Sequence, residues 1–223
     1  MITSPHNDKL KEVRRLQRRR DARFVAEGED LLAAAAHAGW RAVYELRAGV
    51  DVAPELLDGV SALGSGTRAL GVFEQRWAPA PTGPLCVALW GVHDPGNVGT
   101  IIRSARAFGV ASVALGPDCA DPFGPRAVRA SMGAIFAVAV TQVRAVDELP
   151  GERIALVARS GPALRGPAGA PCTILVGAER AGLPAAVVAT CDRVAHIPIA
   201  GDSLNAAMAA TIALYELSRV PAA

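Results

Sequence analysis

Residues Leu85–Leu115 read LCVALWGVHDPGNVGTIIRSARAFGVASVAL, and their pattern decides the fold class. Leu85–Trp90 is an unbroken apolar run, the mark of a strand buried on both faces. A turn rich in Gly, Pro and Asn follows. Thr100–Phe108 then has helical spacing and stops at Gly109, and Ser112–Leu115 is a second apolar run. Strand, loop, helix and strand within about thirty residues form the βαβ unit of a parallel sheet. The loop holds Asp94, Pro95, Gly96, Asn97 and Gly99, ahead of a helix that carries Arg103. Such a loop sets polar groups and bare backbone beside a ligand.

Toward the C-terminus the strand–helix alternation continues. Gly116–Pro125 reads as a loop and 126–136 as helical up to about Met132. Strands are expected at 136–142, 153–158, Thr173–Val176 and Val194–Ile197. Helices are expected after Pro184 and from about Leu204 to Ser218. Three glycine-containing loops each follow a short apolar strand: HDPGNVG, GAERAGLP and PIAGDSLN. In open α/β sheets ligands bind beyond the carboxyl ends of the strands, and glycine lets backbone approach a ligand closely. The three loops together therefore point to one site. No GxxxxGK[ST] or GxGxxG follows the first strand, which removes the main support for nucleotide hydrolysis or hydride transfer.

Toward the N-terminus the composition changes. The first 23 residues hold eight Lys/Arg against three Asp/Glu, a balance of +5. The rest carries 15 basic and 18 acidic residues, so the overall +2 hides an asymmetry. The block KLKEVRRLQRRRDAR, with Leu10, Val13 and Leu16 at helical spacing, reads as a short basic amphipathic helix. It is either a solvated helix face or a docking element for an anionic polymer. A small α/β domain is expected over 1–76, with strands near Phe24–Val25, 42–48 and 68–74 and helices at 29–38 and Pro54–Asp58. Trp77–Pro84 has three prolines and a glycine, the composition of a stiff linker. A second domain is expected over 85–223.

No apolar run is long enough to span a bilayer, and MITSPHNDKLKEV lacks the apolar segment of a signal peptide. The four cysteines, Cys86, Cys119, Cys172 and Cys191, form no CxxC pair and have no His at metal-ligand spacing. They read as small buried thiols in a reducing cytoplasm, with no metal site.

DPGNVGTIIRSARAFG, LVGAERAGLP and IPIAGDSLNAAMAATIALYEL resemble, in order and spacing, the three motifs of the SpoU/TrmH RNA methyltransferases of the SPOUT superfamily. RFVAEGEDLLAAAAHAG is similar to the start of that family's ribosomal-protein-like substrate-binding domain. The resemblance implies a C-terminal parallel-sheet domain with a deep trefoil knot, S-adenosylmethionine as methyl donor, transfer to a ribose 2′-hydroxyl of ribosomal or transfer RNA, and a homodimer; the two-domain build leans to ribosomal RNA. Threaded chains are rare, so no pattern in the residues would by itself suggest the knot. In two places the chain departs from the family. The stretch between Gly201 and Ser203 is shorter than usual, and Ala206-Ala207 follows Asn205.

The resemblance also assigns residues. Asn97, Arg103, Ser203 and Asn205 fall at the catalytic positions. Leu115, Gly116, Gly177, Glu179, Gly182, Ile197 and Leu204 fall at positions that shape the cofactor pocket. Arg103 implies a clamp on the target phosphate, since a guanidinium with a pKa above ~12 is a poor base; otherwise it is a surface Arg paired to a carboxylate. Asn97 is either a reaction-centre amide or a turn residue. Ser203 could cap the last helix, and Asn205 could orient Arg103 or the ribose. Glu179 either meets Arg103 or an RNA group across a dimer, or pairs with a buried Arg. Arg14, Arg15, Arg18 and Arg19, with Arg103, are expected to meet RNA phosphates. His6, His37, His93 and His196 receive no role. The competing reading is a non-catalytic RNA-binding or ribosome-assembly protein that keeps the fold.

Overall fold

The computed structural model describes residues 1–63 and 66–219. The last four residues of the expected 85–223 region lie outside them. Two sheets organise the chain. The first is antiparallel, ordered β1-β3-β2, from β1 (Arg23–Glu27), β2 (Tyr44–Arg47) and β3 (Ala69–Glu74). Helices α1 (Asp8–Leu16), α2 (Glu29–His37) and α3 (Pro54–Asp58) belong with it. Helix α1 buries Leu10, Val13 and Leu16 against Val25, Leu46, Leu70 and Val72. Its apolar stripe is thus spent on packing while its arginines face outward.

The second sheet has six parallel strands: β4 (Leu85–Trp90), β5 (Ser112–Leu115), β6 (Ala139–Gln142), β7 (Glu152–Leu156), β8 (Cys172–Gly177) and β9 (Arg193–Ala195). Their order is β6-β5-β4-β8-β7-β9. Strands β4, β5 and β8 are buried along their whole length, as unbroken apolar runs in a covered parallel sheet should be. The order reverses at β4/β8, where Trp90 pairs with Gly177. The loops after these two strands leave the sheet side by side, although far apart in sequence.

Helix α4 (Pro95–Ala107) begins earlier than the expected Thr100. Most of the glycine-rich turn is its first turn. Asp94 is the N-cap, accepting from the amides of Gly96 at 2.6 Å and Asn97 at 3.3 Å, and Pro95 supplies a preset φ at the first position. Gly99 lies where α4 meets α5 (Pro125–Ala130): a Cβ there would sit 2.3 Å from the Ala127 carbonyl oxygen. Helix α5 stops at Ala130 rather than Met132, because Met132 (φ 48°) and Gly133 (φ 84°) turn left-handed. Helices α6 (Ala185–Ala189) and α7 (Ala206–Ser218) complete the described elements apart from two short 3-10 turns. Helix α7 is capped by Asn205, not by Ser203.

One apolar core joins both sheets. Phe24 of β1 packs on Phe73 (5.7 Å between centroids), Phe123 (5.0 Å) and Phe136 (5.9 Å), and the same cluster continues into Leu89, Ile101 and Leu214.

Candidate active site

The three glycine-containing loops meet at the carboxyl end of the parallel sheet. Asn97, in the first turn of α4, follows β4. Glu179 follows β8, the strand beside it. Asn97 Nδ2 donates to Glu179 Oε1 at 2.6 Å, and Asn205 Nδ2 donates to Asn97 Oδ1 at 3.1 Å. Asn205 Oδ1 accepts the amides of Ala207 at 2.9 Å and Met208 at 3.3 Å. This chain of contacts fixes both amides. The start of α7 offers only donors, so Asn205 must turn its oxygen to the helix and its nitrogen to Asn97. Asn97 must then turn its own nitrogen to the carboxylate. The line runs from a helix N-terminus through two amides to an acid, and each amide is held at both its oxygen and its nitrogen.

Beside this line is a cavity of about 300 Å³ beyond the ends of β7, β8 and β9. Leu156, Val176, Leu183, Ile197, Ile199 and Leu204 give it apolar walls, and Gly177, Gly182, Glu179 and Ser203 give it polar edges and bare backbone. The loop 178–182 doubles back on itself: the Ala178 and Gly182 amides donate to each other's carbonyls at 3.1 and 2.9 Å. Gly182 needs φ +67°, and a Cβ on Gly177 would sit 2.2 Å from the Gly182 carbonyl carbon. Both glycines are therefore required by the shape of this wall. The short third loop is held from across the cavity. Arg159, in the loop after β7, donates to Asp202 Oδ1 at 2.6 Å and to the Gly201 carbonyl at 3.2 Å.

Of the residues expected here, Asn97, Asn205 and Glu179 form the hydrogen-bonded line. Gly177, Glu179, Gly182, Ile197, Ser203 and Leu204 line the cavity. Glu179 pairs with Asn97 of its own chain rather than with an arginine. Leu115 and Gly116 do not join them. Leu115 ends β5, on the far side of β4, Gly116 follows it, and both line a separate cavity; Gly116 is glycine because a Cβ would stand 2.4 Å from the Trp90 indole.

Arg103 is exposed on α4, and its side chain makes no hydrogen bond or ion pair among the described residues, so no carboxylate pairs with it there. In the basic segment, Arg14 donates to the Pro5 carbonyl at 2.9 Å and Arg15 lies 3.3 Å from Asp21. Arg18 and Arg19 are exposed beyond the end of α1. Three contributors escaped the sequence reading. The Asp94 cap was signalled by Asp-Pro. Arg126, 4.0 Å from Asp94, and Arg159 had no signal of their own.

Burial pushes the thiols of Cys86, Cys119, Cys172 and Cys191 up from their ordinary value, so none is poised as a nucleophile. Asp192 is held down at about 2 by its hydrogen bonds to Arg153, which tie β9 to β7. Among the described residues no group of three or more His, Cys, Asp or Glu could hold a metal ion, and no helix is long and apolar enough to cross a membrane.

The fold and this site define an α/β protein with a small-molecule cavity beyond the strand ends of a parallel sheet, beside its switch point. A family model described as the SpoU rRNA methylase family matches residues 84–215, and the chain belongs to that family. It is similar to the 23S rRNA (guanosine(2553)-2'-O)-methyltransferase RlmP of Bacillus subtilis, with 36% identity over 56% of this chain and 54% of that relative. It thus spans about half the length of the curated relatives it matches. Among solved structures it resembles the AdoMet-bound rRNA methyltransferase from Sinorhizobium meliloti, with TM-score 0.87 and 31% identity over 96% of this chain and 95% of that one. It also resembles the SpoU methyltransferase AviRb from Streptomyces viridochromogenes in complex with AdoMet, with TM-score 0.86 and 26% identity over 96% and 97% of the two chains.

Proposed function

We propose that this chain transfers a methyl group from S-adenosylmethionine to a ribose 2′-hydroxyl of RNA, and that the RNA is ribosomal. The observation that carries the reading is the Glu179–Asn97–Asn205 line at the rim of the 300 Å³ cavity. Two relatives of this chain that bear AdoMet share its fold over nearly its full length. The cavity fits such a donor: aliphatic walls suit an adenine ring, and the backbone of the 177–183 loop can read the ring's polar edge. Gly177, Gly182, Ile197 and Leu204 would hold it. When bound, it supplies an activated methyl on a sulfonium.

The chain's own residues supply orientation and charge. Asn97 sits with both ends of its amide fixed, beside where the ribose must lie, and holds the hydroxyl in line for attack. Glu179, which accepts from Asn97 at the cavity edge, is the carboxylate that would take the hydroxyl's proton. Ser203, on the cavity edge, orients the ribose. Arg103 clamps the target phosphate and stabilises developing charge. Its guanidinium stays protonated and takes no proton. Arg18 and Arg19 extend the phosphate contacts outward, with Arg14 and Arg15 behind them.

Residues 1–76 serve as the RNA-holding domain, 77–84 as its linker and 85–223 as the methyltransferase domain, working in the cytoplasm. A trefoil knot in the C-terminal domain accords with the 161–171 segment. The Leu164 amide donates to the His196 carbonyl at 2.7 Å and the Ala168 amide to Leu217 near the end of α7 at 2.9 Å. A homodimer accords with an exposed apolar stripe on α7, where Met208, Ile212 and Tyr215 are 58%, 40% and 56% exposed.

The test is incubation with radiolabelled donor and total RNA from cells lacking the gene, followed by mapping of the label. Label on a ribose of ribosomal RNA supports the reading. Label on a base overturns the reaction type. Donor binding without transfer to any RNA leaves the non-catalytic alternative.

A further inference from the structure

A second cavity, of about 440 Å³, opens beyond the carboxyl ends of β5 and β6. The function proposed above leaves it without a role, yet it adjoins the reaction centre. The Gly91 amide donates to the Pro117 carbonyl at 3.1 Å, and the Ala120 amide donates to the Val92 carbonyl at 2.9 Å. The loop that floors this cavity is thereby stitched to the segment running into Asp94 and Asn97. On its other side the basic N-terminal tip is fastened to the same loop. Arg20 donates to the Cys119 carbonyl at 3.2 Å and faces Asp121 at 3.9 Å. The cavity thus lies between the exposed Arg18–Arg19 tip and the Asn97 centre.

Its lining has the chemistry of a nucleotide subsite. Trp77 is a held aromatic side chain on the cavity wall: its Nε1 donates to Gln75 at 3.0 Å and its ring stands nearly perpendicular to that of Phe123, centroids 5.0 Å apart. Arg20 and Arg144 are exposed cations at its walls. Three carboxylates are present, and two are committed. Asp121 accepts the Phe123 amide at 2.9 Å, and Glu148 accepts the amides of Arg144 and Ala145 at 2.7 and 2.8 Å. Asp118 has no hydrogen bond or ion pair among the described residues. It is exposed on a left-handed backbone, φ 59°. An uncommitted carboxylate beside a stacking surface selects a base edge with adjacent N–H donors. Guanine offers N1–H and N2–H side by side; adenine, cytosine and uracil each set an acceptor next to a donor. Unpaired bases in RNA are read in this way, by stacking and along the Watson–Crick edge.

We propose that this cavity is an RNA subsite that holds one unpaired guanosine flanking the nucleotide to be methylated. Trp77 stacks on the base, Asp118 accepts from its N1–H and N2–H, and Arg20 and Arg144 meet the adjoining phosphates. The assignment rests on the RNA-methyltransferase reading for its biological sense, but its test does not need methyl transfer. The pentaribonucleotides UUGUU, UUIUU and UUAUU are titrated into the full chain while tryptophan fluorescence is followed. UUGUU is expected to bind at least fivefold more tightly than UUAUU, with the inosine form, lacking the N2 amine, between them. Asp118→Asn is expected to bring UUGUU down to the UUAUU level, Arg144→Gln to weaken all three alike, and Trp77→Phe to remove the quenching. Equal affinities for UUGUU and UUAUU in the unaltered chain overturn the proposal, as does a preference that survives Asp118→Asn or quenching that survives Trp77→Phe. A guanosine preference in a chain that methylates no RNA would leave the subsite standing and remove the enzyme. Transfer to RNA without that preference would do the reverse.

Discussion

Asn97 is held at both ends, by Glu179 on its nitrogen and Asn205 on its oxygen, so its replacement has a definite sign. Asn97→Asp keeps the shape but faces one carboxylate with another at the 2.6 Å contact. The pair then retains a proton that free carboxylates would lose, so its folded pKa is raised above the unfolded value. Stability gained from that shared proton is present below the ordinary carboxylate range and lost as pH rises through the raised pKa. Urea unfolding should show the variant close to the unaltered chain at pH 4 and roughly 1–3 kcal/mol weaker at pH 7. A difference that does not vary with pH would mean that the contact is not made. Gly177→Ala acts on the cavity instead. Its Cβ would meet backbone, which cannot swing aside, so the 178–182 loop must shift. Donor affinity by calorimetry is expected to fall tenfold or more, about 1.4 kcal/mol, in a chain that still folds. The motifs made Asn97, Asn205, Gly177 and Glu179 visible in the sequence. They did not reveal that Glu179 meets Asn97, because that contact spans 82 residues and exists only because β8 lies beside β4.

The elements divide into those whose pattern is local and those whose ends depend on neighbours. Strands β4, β5 and β8 were legible as apolar runs because a strand covered on both faces needs no polar alternation. The start of α4 was misplaced because its first turn is glycine-rich, and composition outweighed the Asp94-Pro95 cap. Removing that cap tests the corrected boundary. Asp94→Ala strips the acceptor from two amides and is expected to cost about 1 kcal/mol in chemical denaturation. It should also loosen Asn97, whose amide is one of the two. The end of α5 was misplaced for another reason. Gly133 turns left-handed where its α-carbon abuts Ala34 of α2, a tertiary constraint that a single segment cannot declare. Helix α1 was legible as basic and amphipathic, but its arginines are not equivalent. The side chains of Arg14 and Arg15 hold partners within the chain, whereas those of Arg18 and Arg19 make no hydrogen bond or ion pair among the described residues. Neutralising Arg18 and Arg19 to Gln should weaken RNA binding and reduce the salt-dependence slope by roughly 2. The same changes at Arg14 and Arg15 should alter the slope less and stability more. Equal slopes for the two pairs in filter binding at graded salt would contradict that division.

At the scale of the molecule, the residues announced two compositional halves, and the structure ties those halves into one core. The linker Trp77–Pro84 marks a change of composition, yet Phe24, Phe73, Phe123 and Phe136 pack together across it. A core of that kind is invisible to a local reading, because each aromatic residue looks like the interior of its own segment. The surface carries a converse signal. Met208, Ile212 and Tyr215 recur at i, i+4 and i+7 on α7, all large, all apolar and all exposed. Helix α7 is already fixed to α4 through the Ser104 and Thr211 hydroxyls, 2.7 Å apart, and Phe108 meets the stripe only at its end, against Tyr215 at 6.0 Å. The stripe is therefore left over after the chain has folded. A second copy of the same stripe would cover it by two-fold symmetry. Arg103 precedes Ser104 on α4, so the pairing would bring its unpaired guanidinium to the edge of the contact, within reach of the second copy. Ile212→Glu puts a charge in the middle of the stripe without touching the core, so the variant should keep its far-UV circular dichroism. It is expected to sediment as a monomer where the unaltered chain sediments as a dimer, and to lose methyl transfer by tenfold or more. Calorimetric donor binding, which depends on residues of one chain, should change less than transfer does. An unaltered chain that sediments as a monomer, or a monomeric Ile212→Glu with full transfer, would show that Arg103 serves the site of its own chain and that the stripe has no part in the reaction.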